Sequence, residues 1–244
     1  MARVALVIPT LNEAEAIGGV LAAVPHEIVD EVIVADSSST DGTAEIAARA
    51  GARIVTLNER GYGRACRAGA EAAGGCDIIV FLDGDGSDCP ELIPHLVAPI
   101  AEAGYDFVIG SRTRGVRQPG SMNANQIIAG WSIGAAVGLM YGVRYTDMCP
   151  FRAIRRDVLM RLGMREETYG WNLEMQMRAA RAGLGILELP VSHRLRAGGV
   201  SKVSGNLRGS VRAGWRILTT FGRIALERRG AAPLPLSSSE GRLQ

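Results

Sequence analysis

Two carboxylates one residue apart form the clearest chemical feature of the sequence. Asp83 and Asp85, separated by Gly84, directly follow the apolar run 78–82, which is typical of a buried parallel strand. Open α/β sheets bind their ligands at the carboxyl ends of such strands. Carboxylate oxygens suit Mg²⁺ or Mn²⁺, and such a site usually shares its metal with substrate phosphates. Because Asp-Gly pairs are also common in turns, the pair alone leaves a turn and a metal site open.

Two earlier predicted strands also end in polar loops. The strand Arg3–Pro9 leads into Thr-Leu-Asn-Glu, and the strand Glu31–Ala35 leads into Asp36. Each loop opens a predicted helix, and the N-terminal N–H groups of a helix favour an anion. Asp36 could accept hydrogen bonds from a base or a ribose. Asn12 could instead be a simple helix cap, with Glu15 completing a capping box.

The order of elements predicts the fold class. Strand patterns alternate with helical patterns through the first 110 residues, which indicates an α/β domain with a mainly parallel sheet and helices on both faces. The 244-residue length allows one large domain, and we expect a single Rossmann-like domain over 1–229 and a disordered tail over 230–244. The elements predicted in the second half are Met122–Tyr141, Phe151–Ile154, Asp157–Leu162, Asn172–Ala182, Gly185–Pro190 and Asn206–Arg228.

The charge is distributed unevenly, although the net charge is only +2. Residues 191–229 contain nine Lys or Arg and a single acid, Glu227. Such a basic segment suits an anionic partner, either phosphates or a membrane surface, and it equally fits an ordinary solvated helix face. In the last predicted helix the basic residues accompany Trp215 and other apolar side chains, which suits an anionic membrane surface. We expect no nucleic-acid partner.

Three strand-end motifs, in order, resemble those of a known enzyme family. They read I-P-T-L-N-E from residue 8, V-x-D-S-S-S-T-D-G-T from residue 34 and F-L-D-G-D-G-S-D-x-P-E from residue 81. They are similar to family 2 glycosyltransferases of the GT-A fold, which use nucleotide-diphosphate sugars. The segments 110–112, 145–152 and 199–202 resemble the dolichyl- and polyprenyl-phosphate mannose synthase branch. The resemblance covers about residues 4–215 and implies a nucleotide-sugar half, about 1–112, and an acceptor half, about 113–229.

The resemblance implies a role for each matching residue. The residues expected to bind the donor nucleotide are Pro9, Thr10, Asn12, Glu13, Asp36 and Gly84. Those expected to hold Mg²⁺ or Mn²⁺ and the diphosphate are Asp83, Asp85 and Ser87. Those expected near the donor sugar and its phosphates are Ser111 and Arg112, and those expected at the acceptor phosphate are Arg117, Arg194 and Lys202. Among these, Asp85, Arg112 and Lys202 are expected to be catalytic.

The acceptor is predicted from a missing base. A hydroxyl acceptor requires a general base, and many family members carry an E-D pair at the start of a late helix, where this sequence has Glu174 alone. A phosphate monoester is already anionic near neutral pH. We therefore expect inverting transfer of a hexose from GDP-mannose or UDP-glucose to a polyprenyl-phosphate-type lipid. In this interpretation Asp147 organises its loop and Glu174 supports the site, although either could be a base.

Two alternatives stay open at this point: the same fold acting on a soluble or lipid hydroxyl, and a non-catalytic nucleotide-sugar-binding protein. Ser37 stands where relatives carry a second Asp, which leaves the donor base undecided. The four cysteines form no C-x-x-C pair and no signal peptide is indicated, so we expect free thiols and a cytoplasmic protein. With its basic last helix, it would lie peripherally at the inner face of the membrane.

Overall fold

A seven-stranded sheet forms the centre of the protein. The computed structural model describes residues 2–198 and 207–227, and only the backbone of 207–213. The strands are β1 (Val4–Thr10), β2 (Glu31–Asp36), β3 (Arg53–Thr56), β4 (Ile78–Phe81), β5 (Phe107–Ser111), β6 (Arg152–Arg155) and β7 (Ile186–Pro190). Their order is β3-β2-β1-β4-β6-β5-β7. Every pair is parallel except those made by β6, which is antiparallel to β4 and to β5.

Helices connect most of the strands. They are α1 (Ala14–Ala22), α2 (Thr43–Arg49), α3 (Tyr62–Ala72), α4 (Ile93–Ala103), α5 (Ala124–Tyr141), α6 (Arg156–Leu162), α7 (Trp171–Arg181) and α8 (Leu207–Leu226), with a 3₁₀ turn at Pro90–Leu92. All residues of β1 and β4 are buried, as expected for strands that are covered on both faces. The predicted α/β class is therefore confirmed. The predicted tail, 230–244, lies outside the described residues.

The strand order reverses beside β1. The chain runs from β1 outward through β2 to β3 and then returns to place β4 on the other side of β1. The crevice at such a reversal is where open α/β sheets bind ligands. The loop after β1 and the loop after β4, which carries Asp83 and Asp85, meet at this crevice. Gly84 marks the contact, because a Cβ at this position would lie 2.9 Å from Thr10 Cγ2 and 3.2 Å from Ile8 Cγ2.

The strand β6 departs from a simple alternating pattern. It begins one residue later than predicted and inserts between β4 and β5, with Ile79 opposite Ile154 and Val108 opposite Ala153. The second half of the chain thus completes the sheet that the first half begins. Arg152, at the start of β6, is fully buried.

The helices of the second half pack behind the sheet. α7 contacts α5 and α8, and α8 buries Thr220 and Ile224 while Trp215, Arg216 and Leu218 face outward. α5 begins at Asn123, whose side chain forms a capping box with Gln126. Within the described ranges, none of the helices has both the length and the apolar character that a membrane span requires. All four cysteines are buried free thiols, as expected.

Candidate active site

Side chains of the loop after β2 accept from three backbone N–H groups at the entry to α1. The backbone N–H groups of residues 12, 13 and 14 donate to Ser39 Oγ, Thr43 Oγ1 and Asp41 Oδ2 at 2.8, 2.8 and 3.0 Å. The N–H of Ala14, the first residue of α1, is thus bound to the carboxylate of Asp41, and the binding of a ligand anion at this helix end stays a prediction. The same bonds join the loops after β1 and β2 into one rigid edge of the crevice.

Asn12 and Asp36 take part in this joining. The sequence suggested that Asn12 caps α1, but it does not. Glu13 is the residue that precedes the helix, and no side chain caps it. Asn12 Oδ1 accepts instead from the N–H of Thr40 at 2.9 Å. The buried carboxylate of Asp36 accepts from Thr10 Oγ1 at 2.9 Å and from the hydroxyl and N–H of Ser39 at 2.5 and 2.8 Å. Asp36 thus fixes the loops, and its expected contact with a nucleoside stays a prediction, as do those of Pro9, Thr10 and Asn12.

Three carboxylates, Asp83, Asp85 and Asp88, crowd the loop after β4, and we call them the acidic centre. Oδ1 of Asp83 and Oδ1 of Asp88 are both buried and accept no hydrogen bond of normal geometry. The Tyr62 hydroxyl lies near Asp83, and His193 Nδ1 lies 3.6 Å from Asp88 Oδ1. Asp88 Oδ2 accepts from the N–H of Asp83 at 3.1 Å. Burial, followed by repulsion from Asp85 and Asp88, raises the pKa of Asp83 well above its usual range. Asp83 forms no ion pair with any residue that the structure describes, whereas Asp85 does.

Asp85 has both oxygens engaged. Oδ1 accepts from the N–H and the hydroxyl of Ser87 at 2.8 and 2.6 Å. Oδ2 accepts from Arg196 Nη1 at 2.6 Å, and Nη2 of the same guanidinium donates to both oxygens of Glu13 at 3.0 Å. Arg196 thus bridges the acidic centre to the loop after β1.

The unpaired oxygens of Asp83 and Asp88 fit a divalent cation, because a buried carboxylate oxygen without a partner is costly unless a cation or donor meets it. Among the described residues, no group of three or more His, Cys, Asp or Glu side chains is arranged to hold a metal. A cation held by only one or two of these carboxylates would need phosphate oxygens of a substrate to complete its coordination. The proposed ligands Asp83, Asp85 and Ser87 lie in one short loop, as that arrangement needs.

Arg112 lies beside the acidic centre but is held by Asp147. Its Nε and Nη2 form a two-pronged pair with the two oxygens of Asp147 at 2.7 and 2.8 Å. This pairing holds the pKa of Asp147 below its usual range even though burial opposes it. Ser111 is fully buried, and its Oγ contacts Thr146 Oγ1 at 2.6 Å; its expected place near the donor sugar stays a prediction.

The structure describes two of the three residues predicted to bind the acceptor phosphate. Arg194 forms an ion pair with Glu91 at the exposed edge of the site, and its N–H donates to the carbonyl of Ser87 at 2.8 Å. Arg117 pairs through its backbone with His193, and His193 Nδ1 lies 3.6 Å from Asp88 Oδ1. Lys202 lies outside the described residues.

Glu174 belongs to a second buried ionic cluster, in which carboxylates are paired with arginines. Its Oε2 accepts from the N–H groups of residues 165 and 166 at 2.9 and 2.5 Å, and its Oε1 accepts from Arg178 Nε and Arg223 Nη2 at 2.9 and 3.1 Å. We call Glu166, Glu174 and Glu227 with Arg178, Arg181 and Arg223 the helix lock, since they fasten α8 to α7. Despite burial, these donors lower the pKa of Glu174.

The sequence did not predict the part that two residues play in the site. Arg196 was expected near the acceptor phosphate with Arg194 and Lys202, and its contact with Asp85 was not predicted, because a contact across 111 residues has no local signature. Asp88 is the third carboxylate within six residues of sequence, at 83, 85 and 88. The high density of carboxylates in this short stretch is the sequence signal that could have identified Asp88 as part of the site.

Comparison with known proteins identifies relatives. Residues 5–163 match the family described as Glycosyl transferase family 2. An uncharacterized glycosyltransferase of Mycobacterium tuberculosis is 38% identical over 221 residues, which cover 88% of this chain and 98% of that protein. The undecaprenyl-phosphate mannosyltransferase of Micrococcus luteus is 33% identical over 227 residues, with 85% and 90% covered.

A solved structure shares the fold. It is the glucosyl-3-phosphoglycerate synthase of Mycobacterium tuberculosis, in complex with Mn²⁺, UDP-glucose and phosphoglyceric acid. It is 24% identical, has a TM-score of 0.75, and covers 92% of this chain and 80% of its own.

Proposed function

This chain belongs to glycosyltransferase family 2, and from that membership we propose that it transfers a hexose, with inversion, from a nucleotide-diphosphate sugar to a polyprenyl-phosphate-type lipid. GDP-mannose and UDP-glucose are the proposed donors. Mg²⁺ or Mn²⁺ is the proposed cofactor. The single observation that supports this most is the acidic centre, with unpaired carboxylate oxygens at the point where the strand order reverses.

The acidic centre suits a metal-bound diphosphate. A divalent cation there would neutralise the charge that develops on the leaving nucleotide diphosphate. Asp83, Asp85 and Ser87 are the proposed protein ligands, and Arg112 stands beside them. The structural relative crystallised with Mn²⁺ and UDP-glucose supports this assignment by its fold. The rigid edge built from the loops after β1 and β2, with Thr10, Glu13 and Asp36, would border the nucleoside.

A phosphate acceptor is proposed because both carboxylates considered as bases are engaged. Glu174 accepts two backbone N–H groups and two guanidinium groups, and Asp147 is paired with Arg112. Each would have to break strong charge-assisted bonds before it could remove a proton. A phosphate monoester needs no such help. The name of the Micrococcus luteus relative, an undecaprenyl-phosphate mannosyltransferase, supports the same acceptor class.

The surface of α5 suits a peripheral position on an anionic membrane. The helix carries no charged residue along its length, yet it exposes 62% of Ile128, 56% of Trp131 and 92% of Leu139. The exposed Arg114 and Arg144 lie before and after it in the chain. Apolar side chains that enter the interface and flanking cations that meet anionic headgroups are the two parts of such binding. We place this surface at the inner face of the membrane.

An acceptor comparison tests the proposed reaction. Purified protein is given each donor with Mn²⁺ and either a polyprenyl phosphate or the matching polyprenol. We expect product from the phosphate alone, and we expect Glu174→Gln to retain the rate per folded molecule. Transfer to the alcohol, with activity lost in Glu174→Gln, would instead indicate a hydroxyl acceptor and a base. Binding of the donor without turnover on either acceptor would indicate a nucleotide-sugar-binding protein.

Vesicle sedimentation tests the membrane surface. We expect binding to anionic vesicles that weakens with salt, since each nearby Lys or Arg contributes about 1 kcal/mol that salt screens. The triple change Ile128→Ser, Trp131→Ser and Leu139→Ser should weaken it strongly. Met160→Ser is the matched control, because Met160 is an exposed apolar residue of α6. Equal binding of the triple variant and wild type would remove α5 from the proposal.

A further inference from the structure

The positively charged side chain of Arg196 lies between two carboxylates, those of Asp85 and Glu13. Its guanidinium reaches Asp85 with one nitrogen and Glu13 with another, so a single cation neutralises carboxylates from both sides of the crevice. The three side chains are only 29%, 9% and 8% exposed, for Arg196, Asp85 and Glu13 respectively. An ion pair shielded to this extent is stronger than one on the open surface.

Three of the roughly four acceptor positions of the Asp85 carboxylate are filled while Arg196 is bound. Ser87 takes Oδ1 and Arg196 takes Oδ2. A Mg²⁺ ligand oxygen lies at about 2.0–2.1 Å from the ion in near-octahedral geometry. A metal at Oδ2 would therefore place two positive charges within a few ångströms of each other, so that each weakens the binding of the other.

The segment 194–197, which carries Arg196, packs directly against the loop after β4. The N–H of Ala197 donates to the carbonyl of Asp85 at 2.9 Å, and the N–H of Arg194 donates to the carbonyl of Ser87 at 2.8 Å. Gly86 has a φ of +78°, and a Cβ there would lie 3.0 Å from Ala197 Cβ. The segment 194–197 thus contacts the loop after β4 through its backbone as well as through the Arg196 side chain. Displacement of Arg196 would therefore affect the position of the whole segment.

We propose that Arg196 is a resident counter-cation that competes with the divalent metal for Asp85 and is displaced when the metal and donor bind. The proposal rests on the metal site proposed above. It explains how the empty enzyme tolerates Asp85 and Glu13 at the crevice. It also leaves the guanidinium, once displaced, beside newly bound phosphate oxygens, which are the partners that an arginine fork favours.

Binding of Mn²⁺ itself tests this competition without any turnover. The loss of the free Mn²⁺ signal in electron paramagnetic resonance reports the dissociation constant, with and without UDP or GDP. We expect Arg196→Gln to bind Mn²⁺ about tenfold more tightly than wild type, since a hydrogen bond between charged groups contributes about 1.5–3 kcal/mol. The gain should be largest without nucleotide, because the nucleotide already helps to displace the arginine.

Arg194→Gln is the matched control, because it removes the same charge two residues away from a side chain that pairs with Glu91 rather than Asp85. It should change the affinity for Mn²⁺ by less than about twofold, as an exposed pair is worth little. Arg196→Lys keeps the charge without the two-pronged contact and should fall between. This variant also carries the test if Arg196→Gln fails a thermal-unfolding check of its fold.

The outcomes separate the two proposals. If Asp85→Asn abolishes Mn²⁺ binding and Arg196→Gln strengthens it beyond Arg194→Gln, the competition holds. If Asp85→Asn abolishes binding but the two arginine variants behave alike, Arg196 does not compete and this inference fails while the metal site stands. If Asp85→Asn leaves Mn²⁺ binding unchanged, the metal site itself is wrong.

Discussion

The acidic centre and the helix lock contain similar carboxylates in opposite electrostatic situations. Glu174 of the helix lock is met by two guanidinium groups and two N–H groups, and its pKa is lowered. Asp83 of the acidic centre lies near two other carboxylates, and its own buried Oδ1 accepts no hydrogen bond of normal geometry. Its pKa is raised. The protein can evidently satisfy a buried carboxylate where it needs stability. Its failure to do so at the crevice therefore marks a place for a cation from outside.

The comparison implies that the two clusters respond differently to the loss of a carboxylate. Removing one partner of a saturated ion cluster leaves buried charges uncompensated and destabilises the fold. Removing a carboxylate that lacks partners relieves repulsion. Activity and stability should therefore separate between the two regions, and the following predictions test that separation in order of expected effect.

The largest effect is expected on turnover at the acidic centre. Asp85→Ala should lower kcat by about a thousandfold or more, because a bound metal contributes several kcal/mol to stabilising a transition state and each 1.36 kcal/mol is tenfold. The temperature of unfolding should fall less than in Glu174→Gln, because Arg196 keeps its pair with Glu13 when Asp85 is lost. Initial rates with polyprenyl phosphate, with excess EDTA on wild type as the parallel arm, measure this. Near-normal activity in the variant or in EDTA would end the metal assignment.

The next effect is expected on stability at the helix lock. Glu174→Gln should reduce the free energy of unfolding by about 3 kcal/mol, since Arg178 and Arg223 would lose a buried partner. Urea titration followed by circular dichroism measures it. Asp157→Asn is a matched control, because Asp157 pairs with arginines at the surface and should cost no more than about 1 kcal/mol. Equal losses in the two variants would contradict the contrast between the clusters.

The smallest effect is a pH dependence of that same loss. The folded pKa of Glu174 is lowered, so its contribution is present above the unfolded value, about 4.3, and is lost as the pH falls through the lower folded value. The stability difference between wild type and Glu174→Gln should thus be constant near pH 7 and shrink below about pH 4. Urea titrations at both pH values give the comparison. A difference that grows on acidification would mean that the carboxylate is not stabilised by its cations.

Much of the fold could be predicted from the sequence, because each parallel strand is a short Val/Ile-rich run with a polar loop at its end. The antiparallel direction of β6 could not, since the strand Arg152–Arg155 carries no local signal of the strands that it separates. Two carboxylates of the acidic centre, Asp83 and Asp85, were predicted from their spacing at the end of an apolar strand, but Asp88 was not. The pairing of Arg196 with Asp85 and Glu13, and the use of Ser39 and Asp41 to bind the start of α1, depend on contacts between distant segments.

The insertion of β6 also governs the order in which the protein can be made. During synthesis β4 and β5 emerge first, but the strand that separates them ends only at Arg155. Until then, a nascent chain carries two apolar strand edges that could pair with each other or with a neighbouring chain. A fragment that stops near residue 112 would therefore be a poor candidate for independent folding and a good substrate for chaperones, even though it contains the whole acidic centre.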